Sequence, residues 1–194
     1  MDPYVYPHTQ VLKNKFDVQD AVTLMKLERR LSMLSALELR LKTFEEFDFN
    51  TLKYIHKAMF GSVYTWAGEI RTIDIAKGNS FFCPVCNIEA YADDIFTNLK
   101  KRNYLCDLSL ADFCSKSADL LGDLNALHPF REGNGRATRE FMYHFSLNAG
   151  YYINFALIDK EEYMDASIAS MHYSNDGLEK ILRKTVTKNS IYVI

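Results

Sequence analysis

The chain has 194 residues, enough to bury a substantial hydrophobic core and within the usual range for one domain rather than two. Its composition, 48% hydrophobic, 25% charged and 13% aromatic, excludes the polar, highly charged class of disordered chains. Lysine and arginine (23) nearly balance aspartate and glutamate (25), and the formal charge of -2 gives no general reason to bind nucleic acid or an anionic membrane.

From Asp17 to about Lys42, apolar residues recur at helical spacing (Val22, Met25, Leu27, Leu31, Leu34, Leu37), and Asp17 is placed to cap the start. This predicts one long helix whose Met/Leu stripe faces the core. Asn50 or Thr51 can open a second helix through Tyr54, Ile55 and Met59, closing near Gly61 with a left-handed turn. The stretch from Arg71 to Phe82 alternates polar and β-branched residues, reaches Gly78-Asn79, then turns aromatic, which predicts a short hairpin or flap over about 71–83. Helical spacing resumes at about Ile88 to Leu99, Leu108 to Ala126, Arg136 to Ala149, Asp159 to Met171 and Asp176 to Val186. Asn148-Ala149-Gly150 is a stop signal, and Asp159 with Glu162 forms a capping-box pattern. The expected fold is all-α, one domain spanning 1–194 with a β-hairpin flap.

No apolar run has the length to cross a bilayer, and the opening from Met1 to Pro7 lacks the basic start and apolar centre of a signal peptide, so the expected location is the cytoplasm. The four cysteines are expected to be free thiols. Cys83-Pro84-Val85-Cys86 has half the spacing of a zinc site, but Cys106 and Cys114 lack the paired spacing that would complete it.

Between the fourth and fifth helices, residues His128 to Arg136 are dense in groups suited to phosphate chemistry. Gly133-Asn134-Gly135 lets successive N–H groups point into one concavity, and the helix that follows adds free N–H groups and its positive dipole end: an anion cradle. Arg136 and Arg139, three apart, are expected to project from one face and hold phosphate oxygens together. Glu132 offers one hard oxygen ligand for Mg²⁺, and His128 is the candidate base for an incoming hydroxyl. Pro129 stiffens the turn and Phe130 is expected to anchor it in the core. His56, His144 and His172 sit in helical patterns and read as packing or surface residues. Lys180, Arg183, Lys184 and Lys188 read as a solvated face.

The run from His128 to Arg139 resembles the Fic (filamentation-induced-by-cAMP) domain proteins, whose signature is His-Pro-Phe-x-Asp/Glu-Gly-Asn-Gly-Arg-x-x-Arg, and the match is complete. Trp66-Ala67-Gly68 with Arg71 resembles the segment leading into that family's flap. Lys77, Gly78 and Phe82 resemble the flap itself, and Asp2-Pro3-Tyr4 looks like the opening of its short bacterial members. The resemblance implies an all-α fold, a flap that aligns an extended target segment, and transfer of AMP from ATP to a Ser, Thr or Tyr hydroxyl of a target protein, releasing pyrophosphate. It implies His128 as base, Glu132 on Mg²⁺, Gly133, Asn134 and Gly135 on the α- and β-phosphates, and Arg136 and Arg139 on the outer ones. A related branch that transfers the terminal phosphate has lysine in place of the second glycine, and this chain has Gly135. Many resembling proteins restrain themselves with a Ser/Thr-x-x-x-Glu-Gly/Asn helix; the pattern is missing from these residues, which suggests a separate antitoxin-like protein whose glutamate reaches Arg139. Two alternatives stay open: another nucleotide or diphosphate-linked donor, and a nucleotide-binding regulatory module without turnover.

Overall fold

Helices begin where a short acceptor side chain can take up the unpaired N–H groups of a first turn. The computed structural model describes residues 2–78 and 80–189; Asn79, read as part of the flap turn, lies outside the described residues, as do Met1 and 190–194 of the expected span. Asp20, not Asp17, caps α1 (Ala21–Leu39), accepting from the Thr23 N–H at 2.8 Å. Asp17 sits at φ 52 in a turn organised by Asn14, whose side chain accepts from the Phe16 and Val18 N–H groups, so the helix starts later than the periodicity suggests. Asp48 caps α2 (Phe49–Phe60) through the Thr51 N–H, upstream of the expected Asn50 or Thr51. Gly61 follows at φ -64, right-handed rather than left-handed. A Cβ there would stand 2.5 Å from the Lys57 carbonyl oxygen, so glycine is required for space.

After the flap come α3 (Ile88–Lys101), α4 (Leu110–Leu127), α5 (Asn134–Asn148), α6 (Lys160–His172) and α7 (Asp176–Thr185). Ser109 caps α4, and the Asp159 carboxylate accepts from the Glu161 and Glu162 N–H groups at the head of α6. The core forms where α2, α4 and α5 meet. Phe113, Leu121, Leu124 and Leu127 of α4 face Phe141, Met142 and Phe145 of α5, all essentially excluded from water, and Phe47 packs edge-on against Phe141 and Phe145.

Among the described residues, two small antiparallel sheets complete the fold. In the flap, β1 (Ala76–Lys77) pairs with β2 (Ser80–Phe81), placing Ala76 opposite Phe81. A second sheet, absent from the sequence reading, pairs β3 (Tyr151–Ile153) with β4 (Val186–Lys188). Gly150, at φ 82, turns the chain out of α5 into β3; α7 ends before Val186, where the β-branched pair Val186-Thr187 is extended and bonded to β3.

The α1 stripe is a further difference. Val22, Met25, Leu34 and Leu37 are each more than half exposed (54%, 60%, 55% and 54%), while the buried residues are Leu24, Glu28, Ser32 and Leu39. The helix turns a partly polar face inward because, as shown below, that face meets a charge on α5.

Candidate active site

α4 ends at Leu127, and His128 takes the left-handed conformation (φ 41, ψ 59). That backbone is strained for a residue with a Cβ, on the order of 1–2 kcal/mol, and several contacts hold it. The His128 N–H bonds the Leu124 carbonyl at 3.2 Å, Nδ1 lies 3.1 Å from the Asn125 carbonyl oxygen, the Arg71 Nε–H donates to the His128 carbonyl at 2.9 Å, and the Phe82 ring stacks on the imidazole at 3.6 Å. A carbonyl only accepts, so Nδ1 carries the proton of the neutral ring and Nε2 keeps its lone pair. Burial pushes the imidazole down to about 4; the Asn125 carbonyl partly opposes this, and the charges of Arg71 and Lys77 add to it. The ring is therefore a neutral base near pH 7.

Asn134 closes the loop behind His128. Its Oδ1 accepts from the Phe130 N–H at 2.8 Å and its Nδ2 donates to the Phe130 carbonyl at 2.7 Å, while Phe130 itself is buried and stacked under His56 at 3.8 Å. Gly133 is at φ 82, and a Cβ there would come within 2.6 Å of the Phe60 ring. α5 begins at Asn134 with no side-chain cap, so its first N–H groups are directed into the bend of the loop, the geometry of an anion site.

His56 reads from the sequence as a packing or surface residue. It is fully buried and ties together two loops of this architecture: Nδ1 accepts from the Gly68 N–H at 2.9 Å and Nε2 lies 2.8 Å from the Glu132 carbonyl oxygen. Burial holds it down at about 4 as well. In the unfolded chain both rings titrate near ~6.5. Between the two values the unfolded state binds protons that the folded state refuses, so stability is complete above the unfolded value and declines as pH falls. By about pH 5 the expected loss is on the order of 2 kcal/mol per ring. Urea unfolding at a series of pH values checks this, and a stability flat down to about pH 5 would contradict it.

The two motif arginines diverge instead of sharing a face. Arg136 turns toward α1: Nη2 is 2.6 Å from Glu28 Oε1, Nη1 donates to Ser32 Oγ at 3.3 Å, and the guanidinium lies 4.6 Å over the Phe60 ring. Arg139 turns toward α6, 5.9 Å over the Tyr163 ring, with Nη1 beside Gly135. Glu132, half-exposed, has Oε1 accepting from the Gly133 N–H at 2.9 Å and 3.7 Å from Arg136 Nη2.

The flap is fastened to this loop by Arg71. Its side chain is buried and donates to the carbonyls of His128, Ile73 and Cys83, while its own N–H bonds the Pro129 carbonyl. Lys77 and Gly78 stand exposed at the hairpin, Gly78 at φ 59, while Phe82 reaches His128. Asp2 pairs with Arg131 at 2.6 Å, and the Tyr4 hydroxyl accepts from the Thr72 N–H, so the opening segment lies against both the motif loop and the base of the flap.

The sequence profile of the Fic/DOC family matches residues 46–146, which contain α2, the flap and the whole loop. The chain belongs to the Fic/DOC family. It is 37% identical over 191 residues to the protein adenylyltransferase VbhT of Bartonella schoenbuchensis, covering 98% of this chain but only 40% of that protein's length. It is 34% identical to the probable protein adenylyltransferase y4lH of Sinorhizobium fredii, covering 87% of this chain and 88% of that one. Among solved structures, the N-terminal Fic domain of a putative cell filamentation protein from Bartonella quintana, with bound ADP, superposes with a TM-score of 0.92 at 28% identity, over 96% of this chain and 95% of that one. The BepC protein of Bartonella tribocorum, with bound AMPPNP, gives 0.89 at 26% over 95% and 96%. Outside the Fic motif, the side chains that sequence reasoning passed over are Glu28, Tyr64 and Tyr163. The one signal for Glu28 was a charged residue beside an apolar stripe.

Proposed function

We propose that this chain, as one Fic-like domain, is a protein adenylyltransferase that moves AMP from ATP to a Ser, Thr or Tyr hydroxyl of a target protein. The observation that carries the reading is a neutral His128 with an unprotonated Nε2, held beside an uncapped helix N-terminus. Nε2 takes the proton of the target hydroxyl, the freed oxygen attacks the α-phosphorus of ATP, and pyrophosphate leaves. The N–H groups of Gly133, Asn134 and Gly135 donate to the α- and β-phosphates, where negative charge grows. Arg139, half-buried with Nη1 beside Gly135, holds the outer phosphates in this reading. Lys77, Gly78 and Phe82 of the flap border the target and nucleotide. The names of the relatives and the nucleotides bound in the similar structures support this reading.

Among the described residues no three His, Cys, Asp or Glu side chains gather into a protein-only metal site. The single carboxylate of Glu132 fits Mg²⁺ that completes its shell with phosphate oxygens and water, and in that place the ion would neutralise developing phosphate charge. Regulation by an antitoxin-like partner fits an accessible Arg139, to which a partner's glutamate would compete with the outer phosphate. Action in the cytoplasm fits the substrate, ATP; no helix among the described residues is long and apolar enough to cross a membrane.

The test is incubation of the purified chain with Mg²⁺, cell lysate and ATP labelled on either the α- or the γ-phosphate. Protein bands labelled only from the α-phosphate are expected. Labelling only from the γ-phosphate would reject AMP transfer, and label from α-labelled UTP but not from ATP would reassign the donor.

A further inference from the structure

Three groups engage the head of Arg136. Glu28 Oε1 neutralises it at 2.6 Å, Ser32 Oγ accepts from its other terminal nitrogen at 3.3 Å, and the Phe60 ring lies beneath it at 4.6 Å. Glu28 is in turn fixed, because its second carboxylate oxygen accepts from the buried Tyr64 hydroxyl. The same Nη2 that meets Glu28 stands 3.7 Å from Glu132 Oε1, the oxygen that also accepts from the Gly133 N–H. A guanidinium paired with a buried carboxylate adds little net attraction for a polyphosphate, whereas a fixed planar cation can set the direction of a neighbouring carboxylate. Tyr64 and Glu28 come from outside the loop, from the α2–flap connection and from α1, so the place of the Arg136 head is set by tertiary packing.

We infer that Glu28 and Tyr64 are positioning residues that divert Arg136 from the phosphates and use it to aim the Glu132 carboxylate, leaving the outer phosphates to Arg139. This rests on Glu132 being the Mg²⁺ ligand of the proposed transferase. It also explains why α1 turns Glu28 and Ser32 inward and leaves its apolar stripe outside.

The experiment measures ATP binding by the whole chain twice for each variant, in EDTA and across a Mg²⁺ titration, with no target present. Glu28→Gln and Tyr64→Phe keep the shapes of the side chains, and a melting curve confirms that each folds. Neither is expected to weaken ATP binding in EDTA, where Glu28→Gln frees the charge of Arg136 and tightens it if anything, while both raise the Mg²⁺ concentration for half-maximal enhancement of binding, by about tenfold for Glu28→Gln, the usual cost of losing a partner of a metal ligand. Arg139→Gln is expected to show the reverse, weak binding in EDTA as well. If Arg136→Gln weakens binding in EDTA as much as Arg139→Gln does, Arg136 is a phosphate ligand and the inference fails. It fails equally if Glu28→Gln leaves the Mg²⁺ titration unmoved. Because neither measurement needs turnover, a chain that binds ATP but transfers nothing would overturn the adenylyltransferase reading and leave this one standing or falling on its own data.

Discussion

Replacing His128 with alanine is expected to lower the rate of AMP transfer by about 10²- to 10⁴-fold, the range for loss of a positioned general base. ATP affinity should stay within roughly twofold, since the ring takes the proton of the incoming hydroxyl and holds no phosphate. The geometry behind this is the fixed tautomer: the Asn125 carbonyl claims Nδ1–H, so only Nε2 can accept a proton. Because burial holds the ring at about 4, the His128 contribution to a pH–rate profile is a rise through that value, followed by a plateau. Between about pH 6 and about pH 8 the rate should be flat with respect to this group, where an ordinary histidine would still be titrating. Single-turnover transfer to a fixed target protein, with ATP binding measured alongside, checks both points. A rate still climbing through about pH 6.5 would remove His128 from the role of pre-neutralised base.

Replacing Arg71 with methionine is expected to destabilise the chain by about 3–5 kcal/mol and to loosen the flap. The arginine serves three buried or partly buried carbonyls at once: His128 at the catalytic loop, Ile73 at the flap's start and Cys83 at its end. Methionine replaces the aliphatic stem and leaves those carbonyls without the cation. Lysine, a single compact charge, cannot span all three in the way a planar fork does, so Arg71→Lys should recover only part of the loss. Urea unfolding reads the stability. Limited proteolysis within 71–83 reads the flap, and the transfer rate reads His128, whose strained backbone loses one of its restraints. A methionine variant with parental stability and an uncut flap would show that the staple is incidental.

The residues of the motif were legible one by one because their chemistry is local. A glycine before a helix, an asparagine that can close its own loop and a histidine at a helix end act over a few residues of chain, and in the structure Asn134 bonds Phe130 while Gly133 takes φ 82. The flap was legible for a similar reason: alternation and a Gly-Asn turn specify a hairpin, and β1 pairs with β2 inside the expected range. The α5 stop at Gly150 and the Asp159 cap are likewise short-range. Helix periodicity also located each α-helix among the described residues. It misjudged which face α1 buries, because apolar spacing reports a stripe without reporting the surface it meets.

What only the tertiary structure decided are pairings between distant segments. Glu28 and Arg136 are separated by 108 positions, Arg71 and His128 by 57, and His56 and Glu132 by 76. Each places a buried polar group where no local pattern predicts a partner, and each is stabilised only once the surrounding side chains have excluded water. The β3–β4 sheet belongs to the same class, since a two- or three-residue strand has no signal until its partner arrives. The sequence by itself therefore determined the all-α class, the Fic motif and the candidate chemistry of His128. The folded arrangement decided which partners Arg136 and Arg139 meet, because side chains three apart on one helix start close together but go where their long-range partners draw them.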